Sequence, residues 1–271
     1  MISKFWPWIV FLLVMGCNQD SEHTVVYEFT MFRNGNISMW PDTISQEFLD
    51  GLTRSHYSLQ DDMGKLVTEG DFLNGYKVGD WSYYPDTVST IQVNWSLYSK
   101  PNDSTKINYP TSWTTSEDAT RPFQASFPVK QGENSIGKHF IIQAHNRDSI
   151  DMDLAVYQEY YKSTMFESET VNEYAHFVLE LHSGSVLYFL RYVIKRNGED
   201  LLILVLLGNS GSEICDATYS SASEDQEEKH IIFCDMMRSF ELHGKPFFSP
   251  LDPVKTFKRT EYSNVPQSPT S

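Results

Sequence analysis

The chain has 271 residues, of which 40% are hydrophobic and 14% aromatic, which excludes a largely disordered protein and leaves room for two modules. Its formal net charge of -15 argues against nucleic acid as a partner, because binding a phosphate backbone requires a basic face. The acids are spread along the chain, so the charge marks no single acidic site.

Lys4 and the apolar stretch from Phe5 to Met15, interrupted by Pro7, form a targeting segment. The stretch is short for a membrane span, which needs roughly 20 apolar residues. It ends in Val14-Met15-Gly16-Cys17, which resembles a bacterial lipobox, with Val at its first position and Met at its second as departures. The resemblance implies that residues 1–16 are a lipoprotein signal peptide and that Cys17 carries the lipid, palmitate included. An ordinary secretory peptide or an uncleaved anchor is the other reading. Acyl chains would hold the protein to a membrane at roughly 0.8 kcal/mol per buried methylene. By resemblance to Gram-negative lipoproteins, Asn18 after the cysteine implies the outer membrane, with a periplasmic or a surface-exposed orientation both open. Asp20 and Glu22 resemble the acidic surface-export signals of some Bacteroidetes. Residues 17–23 are a polar tether.

Thr24 to Phe32 reads as a strand, Asn34-Gly35 as a turn, and Asn36 to Trp40 as the returning strand. Ile44, Phe48 and Leu52 recur at helical spacing, which makes Pro41 to Leu52 a candidate short helix. Gly64 to Pro85 contains two strands joined by glycine-rich turns, with Trp81 and Tyr83 on one face of the second. Gly64, Leu66, Glu69, Gly70, Phe72, Gly75, Gly79, Trp81, Tyr83 and Tyr84 together resemble a MORN repeat of bacterial secreted proteins. A single hairpin is marginal alone, so Thr24 to Trp40 and Ile91 to Tyr98 are expected beside it. This places a MORN-like β module at residues 24–99. Trp81, Tyr83 and Tyr84 are its candidate contact surface, beside the plainer reading of a structural sheet.

Lys100 to Thr105 is turn-rich and reads as a domain boundary. Ile107-Asn-Tyr-Pro-Thr-Ser-Trp113 opens the second domain, followed by strands at Phe123 to Pro128 and Lys138 to Ala144. Leu154, Tyr157, Tyr160 and Tyr161 lie on one helical face, with Asp151 or Asp153 as cap. The domain is organised around Leu201-Leu-Ile-Leu-Val-Leu-Leu207, a run suited to a strand covered on both faces. Asn197-Gly198 turns Val186 to Ile194 into it as a hairpin. Glu213 to Ser220 is a further strand, and Ser223 to Glu241 a closing helix capped by Ser223. The opening Ile107–Trp113 motif, the helix Leu154 to Lys162 and Met236-Met-Arg-Ser-Phe240 resemble the PsbP-like (Mog/PsbP) fold. That resemblance implies an α+β protein in which residues 106–244 form an α/β/α sandwich with a central antiparallel sheet. It says little of function, since the fold hosts unrelated binding roles. Residues 245–271 read as a tail disordered toward its end.

Gly208-Asn-Ser-Gly-Ser212 lacks the final glycine of a nucleophile elbow and reads as a turn. His139 with His145, and His176 with His182, are six residues apart; on strands each pair shares a face but spans roughly 20 Å, too far for one metal. Asp148, Asp151 and Asp153 lack the glycine and final glutamate of a calcium loop and read as acids at a helix start. No catalytic residue, metal or cofactor is expected. Cys215 and Cys234 are either a disulfide, worth roughly 3 kcal/mol in an oxidising envelope, or two buried thiols. These features point to a non-enzymatic cell-envelope lipoprotein, membrane-bound through its lipid, that binds an envelope protein or assists assembly. The alternatives are a small-ligand binder or enzyme with a spatially scattered site, and an immunity or secretion accessory protein.

Overall fold

A computed structural model describes residues 23–31, 37–45, 54–61, 63–85, 88–100, 102, 104–128, 138–181, 183–224, 226–247 and 254–264. Residues 1–22, with the expected signal peptide, Cys17 and most of the expected tether, lie outside them, as do Asn34-Gly35 and His182; His23, expected to end the tether, opens a strand. The architecture is mostly antiparallel β-sheet with few helices.

Strands β1 (His23–Met31) and β2 (Ile37–Ser45) pair with each other from His23↔Ser45 to Met31↔Ile37. Residues 41–45 therefore continue the strand, where the spacing had suggested a helix; residues 46–53 lie outside the described chain. Next come β3 (Ser55–Gln60), β4 (Leu66–Leu73), β5 (Tyr76–Tyr83), β6 (Ile91–Lys100) and β7 (Thr105–Pro110), each antiparallel to the one before it. Asn74 and Gly75 both take positive φ, 53° and 76°, which gives the β4–β5 turn the twist that a two-residue hairpin needs. Gly70 has a different reason. A Cβ there would lie 2.3–2.4 Å from the indole atoms of Trp81, so only glycine lets that ring cross β4.

Lys100 to Thr105 is not a domain boundary. Lys100 and Thr105 are paired residues of neighbouring strands, and the segment between them is a hairpin turn inside one sheet. Turns and linkers draw on the same Pro, Asn, Asp and Ser, so composition alone does not separate them.

After β8 (Thr114–Thr115), β9 (Phe123–Ser126) and β10 (His139–Asn146), the chain forms a short helix α1 (Arg147–Ile150) and a longer one, α2 (Leu154–Ser168). Asp153 caps α2, its carboxylate accepting from the Val156 N–H at 2.8 Å. Then follow β11 (Thr170–Leu181), β12 (Val186–Arg196), β13 (Glu199–Ser210), β14 (Glu213–Ala222) and helix α3 (Gln226–Ser239). The Asn197-Gly198 turn has φ of 54° and 87°, as its hairpin role requires. Residues 201–208 are all buried. The strand runs on to Ser210, so the turn is Gly211-Ser212 rather than the preceding glycine. Helix α3 starts at Gln226, too late for Ser223 to cap it; the Ser223 N–H goes instead to the Asp200 carbonyl.

The chain ends in β15 (Glu241–Leu242), β16 (Lys245–Pro246) and β17 (Val254–Asn264). Strand β17 pairs antiparallel with β11, so the expected tail contains sheet at Lys245–Pro246 and Val254–Asn264. The two large sheets run β17-β11-β12-β13-β14-β10-β9-β8 and β16-β15-β7-β6-β5-β4-β3.

Helix α3 lies between them. Its buried residues include His230, Ile231, Phe233, Cys234, Asp235, Met236 and Met237, more than one face of the helix, as expected where both sides are covered. One continuous core joins Trp81, Trp95 and Ile107 of the smaller sheet to Phe233 and Met236 of α3 and to Phe140, Phe177 and Phe189 of the larger. A second core lies on the other face of the larger sheet, where Leu154 and Tyr157 of α2 pack over Tyr174, Leu190, Ile203 and Val205.

Candidate functional site

Strands β10 and β14 are direct neighbours, with Gln143 opposite Asp216. Side chains alternate across a strand. Phe140, Ile142, Cys215, Ala217 and Tyr219 enter the α3-side core. The other set, His139, Ile141, Gln143 and His145 with Asp216, Thr218 and Ser220, therefore faces the α2 side. The even spacing read from the sequence does place His139 and His145 on one face.

Asp216 is only 2% exposed, and an isolated buried carboxylate is costly. It is held by two donors from different elements. The Tyr157 hydroxyl of α2 donates to its Oδ2 at 2.6 Å, and His145 Nε2 lies 2.9 Å from the same oxygen. An ionised carboxylate only accepts, so Nε2 carries the proton. The hydrogen bond to Asp216 raises the His145 pKa above its ordinary value of 6.5, against the opposing effect of burial. Burial, then the Asp216 charge, push the Tyr157 hydroxyl far up, so it stays a donor. The two rings lie together with centroids 5.4 Å apart. One turn along α2, the Tyr161 hydroxyl and Thr218 Oγ1 are 3.0 Å apart. The arrangement orients a half-exposed imidazole on a buried acid, which suits it to accept or donate one proton or hydrogen bond at its outer edge.

The outer side of α2 is of another kind. Val156 and Tyr160, one turn apart, are 53% and 54% exposed, while Phe166, 41% exposed, packs edge-on against Tyr174 and Tyr192 of the sheet. Asp148, Asp151, Asp153, Glu159 and Glu167 are exposed beside Val156 and Tyr160. The helix thus carries apolar side chains toward solvent while Leu154 and Tyr157 are already seated on the sheet.

The sequence-predicted contact surface lies elsewhere and is largely inaccessible. Trp81 is fully buried and Tyr83 nearly so; Trp81 Nε1 donates to the Asp71 carbonyl at 3.0 Å, and the Tyr83 hydroxyl bonds Asp235 of α3. Helix α3 covers that face of β5, which makes it core rather than contact surface. Tyr84 is half-buried and donates to Glu69 at 2.6 Å. Cys215 and Cys234 are buried and unbridged, both in the core around α3; burial and the nearby Glu213 and Asp216 charges hold the Cys215 thiol far up. His176 is buried. Asp153 is a helix cap, and Asp151 ends α1 with φ of 51°. Among the described residues, no group of three or more His, Cys, Asp or Glu is placed to hold a metal.

Asp216 was missed at the sequence level. It stands 71 residues from His145, and only the β10–β14 pairing brings them together.

No family model matches the chain, and no curated protein matches it. Among solved structures it is similar to cyanobacterial PsbP (CyanoP) from Synechocystis sp. PCC 6803, with 14% identity and a TM-score of 0.40, over 59% of this chain and 97% of that one. It is also similar to the Pseudomonas aeruginosa protein PA94, of unknown function, with 15% identity and a TM-score of 0.26, over 48% of this chain and 85% of that one.

Proposed function

We propose that the chain is an outer-membrane lipoprotein, anchored through Cys17, that acts without catalysis by binding another envelope protein. Its first strands are read as MORN-like and residues 106–244 as PsbP-like, on the motifs quoted above. The single observation that carries the binding role is the outer face of α2. Two apolar side chains one turn apart, Val156 and Tyr160, stand exposed on one face of the helix, with exposed acids beside them. Burying them is worth roughly 25 cal/mol per Å² of apolar surface, and the acids favour a partner with basic groups beside an apolar patch.

A photo-crosslinking amino acid at position 160, in cells, tests this. The binding role expects a discrete light-dependent adduct from position 160 and none from position 92, an exposed site on β6. The same pattern from both positions, or no adduct from 160, overturns it. The anchor is tested separately: Cys17→Ser should release the protein from membranes or leave its precursor unprocessed.

A second reading has its own observation. The half-exposed His145, oriented by buried Asp216 beside Tyr157, favours a small-ligand or acid–base site. Loss of a ligand-induced change in the His145 resonance on Asp216→Asn would support that reading, which also leaves the immunity or secretion accessory role open.

A further inference from the structure

Strands β3 to β6 run alternately up and down the smaller sheet, so the β3–β4 and β5–β6 turns leave from the same end of it. One row of paired residues marks that end: Leu59 is opposite Thr68, Thr68 opposite Tyr83, and Tyr83 opposite Ile91. Met63 and Val88 belong to the two turns just beyond this row. Neighbouring strands lie about 4.8 Å apart, which sets the two turns about 10 Å from each other. Met63 is 89% exposed and Val88 90%, the two most exposed large apolar side chains among the described residues. The turns at Asn74-Gly75, Asn197-Gly198 and Gly211-Ser212 carry no large apolar side chain at all.

The first tip is held open by its own backbone. Asp61 Oδ1 accepts from the N–H groups of Met63 and Lys65, each at 2.9 Å. The Gly64 N–H donates to the Asp61 carbonyl at 2.9 Å, with Gly64 at φ of 77°. The turn is thus fixed while its methionine points into solvent. Two separate convex points suit a soft surface that yields around each of them; a protein partner needs a matched, continuous area instead. Charge does not draw this end to an anionic surface, because acids, Asp61, Asp62 and Asp86, neighbour both tips in sequence. The expected anchor at Cys17 is joined to His23, the first residue of β1, through residues 18–22 alone. That tether reaches at most about 20 Å, so an anchored chain keeps its folded body beside the bilayer.

We propose that Met63 and Val88 insert side by side into a lipid bilayer, as a second contact beside the acyl anchor; the choice of a bilayer rests on the lipoprotein reading. The gain is apolar burial at the boundary between headgroups and acyl chains, and it grows with the area inserted. Two tips and one anchor hold the body in a single orientation, where a tether alone would let it swing. The β3–β4 and β5–β6 turns then face the membrane, and the β4–β5 and β6–β7 turns face away.

The test places an environment-sensitive fluorescent amino acid at position 63, 88 or 102 of the full chain. Each protein is mixed with phosphatidylcholine vesicles, with and without lipids that carry a quencher in their acyl chains. Asn102 is exposed in the β6–β7 turn, at the opposite end of the sheet. Quenching at 63 and 88 but not at 102 is the expected result. It should persist in high salt, which screens charges but not apolar contact. Met63→Ser alters a side chain that lies almost wholly in water, so the fold should survive. It should weaken the insertion read at 88 about tenfold, the worth of burying one such side chain, and Met63→Leu should preserve it. Equal quenching at all three positions, none at 63 and 88, or quenching abolished by salt overturns the proposal. So does a light-dependent crosslink from position 63 to a protein in place of lipid, which would give the tips to a protein groove. Co-flotation with the vesicles reports the anchor separately. A chain that floats with unquenched tips loses the insertion alone; one whose tips are quenched but whose flotation ignores Cys17→Ser loses the anchor alone.

Discussion

Lys77 of β5 and Asp235 of α3 form an ion pair of 2.8 Å, with side chains 8% and 7% exposed. The pair crosses from the smaller sheet to the helix that the larger sheet also holds. Asp235 further accepts from the Tyr83 hydroxyl, which accepts from Trp95 Nε1 at 2.9 Å. The Lys77 ammonium lies over the Trp81 ring, 4.1 Å from its centroid.

Removing one partner of this pair leaves the other charged and buried. Lys77→Met should therefore destabilise the protein by about 3–5 kcal/mol, whereas Lys77→Met combined with Asp235→Leu should recover most of that loss. Urea unfolding of the two variants and the parent checks it; a double variant as unstable as the single one would contradict the account.

Gly70→Ala should be destabilising out of proportion to one methyl group. The added Cβ meets the Trp81 indole at 2.3–2.4 Å, and that ring is fixed by Phe72 and Tyr57 at centroid distances of 5.0 and 6.1 Å. Overpacking of this kind costs about 1–3 kcal/mol or more, read as a drop in Tm. Trp81→Phe in the Gly70→Ala background should restore part of it, because the smaller ring leaves room.

The His145–Asp216 contact gives stability a defined pH dependence. The folded His145 pKa is raised above its unfolded value near 6.5. The native state thus holds the proton more tightly, and the contribution is fully present below that unfolded value. It is lost as pH rises through the folded pKa. The stability gap between the parent and His145→Gln should be widest below the unfolded value and shrink as pH rises through the raised folded pKa. A gap that widens with rising pH would reverse the assignment.

Cys215 and Cys234 should behave as two protected thiols. Native protein should resist alkylation, because both side chains are buried and the Cys215 thiol is held far from its thiolate form. After denaturation without reductant, mass spectrometry should show both cysteines alkylated; recovery of neither label would indicate a disulfide instead.

What could be read from the sequence divides by how local its cause is. The Asn197-Gly198 hairpin, the buried Leu201–Leu207 strand and the Asp153 cap each depend on a few adjacent residues, and each is present. The boundary at Lys100 to Thr105 is different, because a tight turn and a linker share a composition and only the pairing of β6 with β7 separates them. Trp81 and Tyr83 alternate along β5 as expected, but their burial depends on α3, some 150 residues later. The site is legible in half: spacing put His139 and His145 on one face, while Asp216, the partner of His145, comes from another strand with no local signal. Val254–Asn264 carries no local strand signal, since Val254, Phe257 and Tyr262 stand at odd spacings, and its strand comes from pairing with β11.

Strands β15 and β16, residues 241–246, join the same sheet as β3 to β7, residues 55–110. Synthesis therefore delivers five strands of that sheet well before the two that complete it, and before the helix that supplies Asp235. An emerging chain must hold Trp81, Trp95 and the Lys77 ammonium without their cover until its last quarter arrives. Such widely separated contacts slow folding and prolong exposure of apolar surface. The smaller sheet cannot be completed until residues 241–246 are made, so a fragment cut at residue 110 should be recovered as aggregate rather than as a working half.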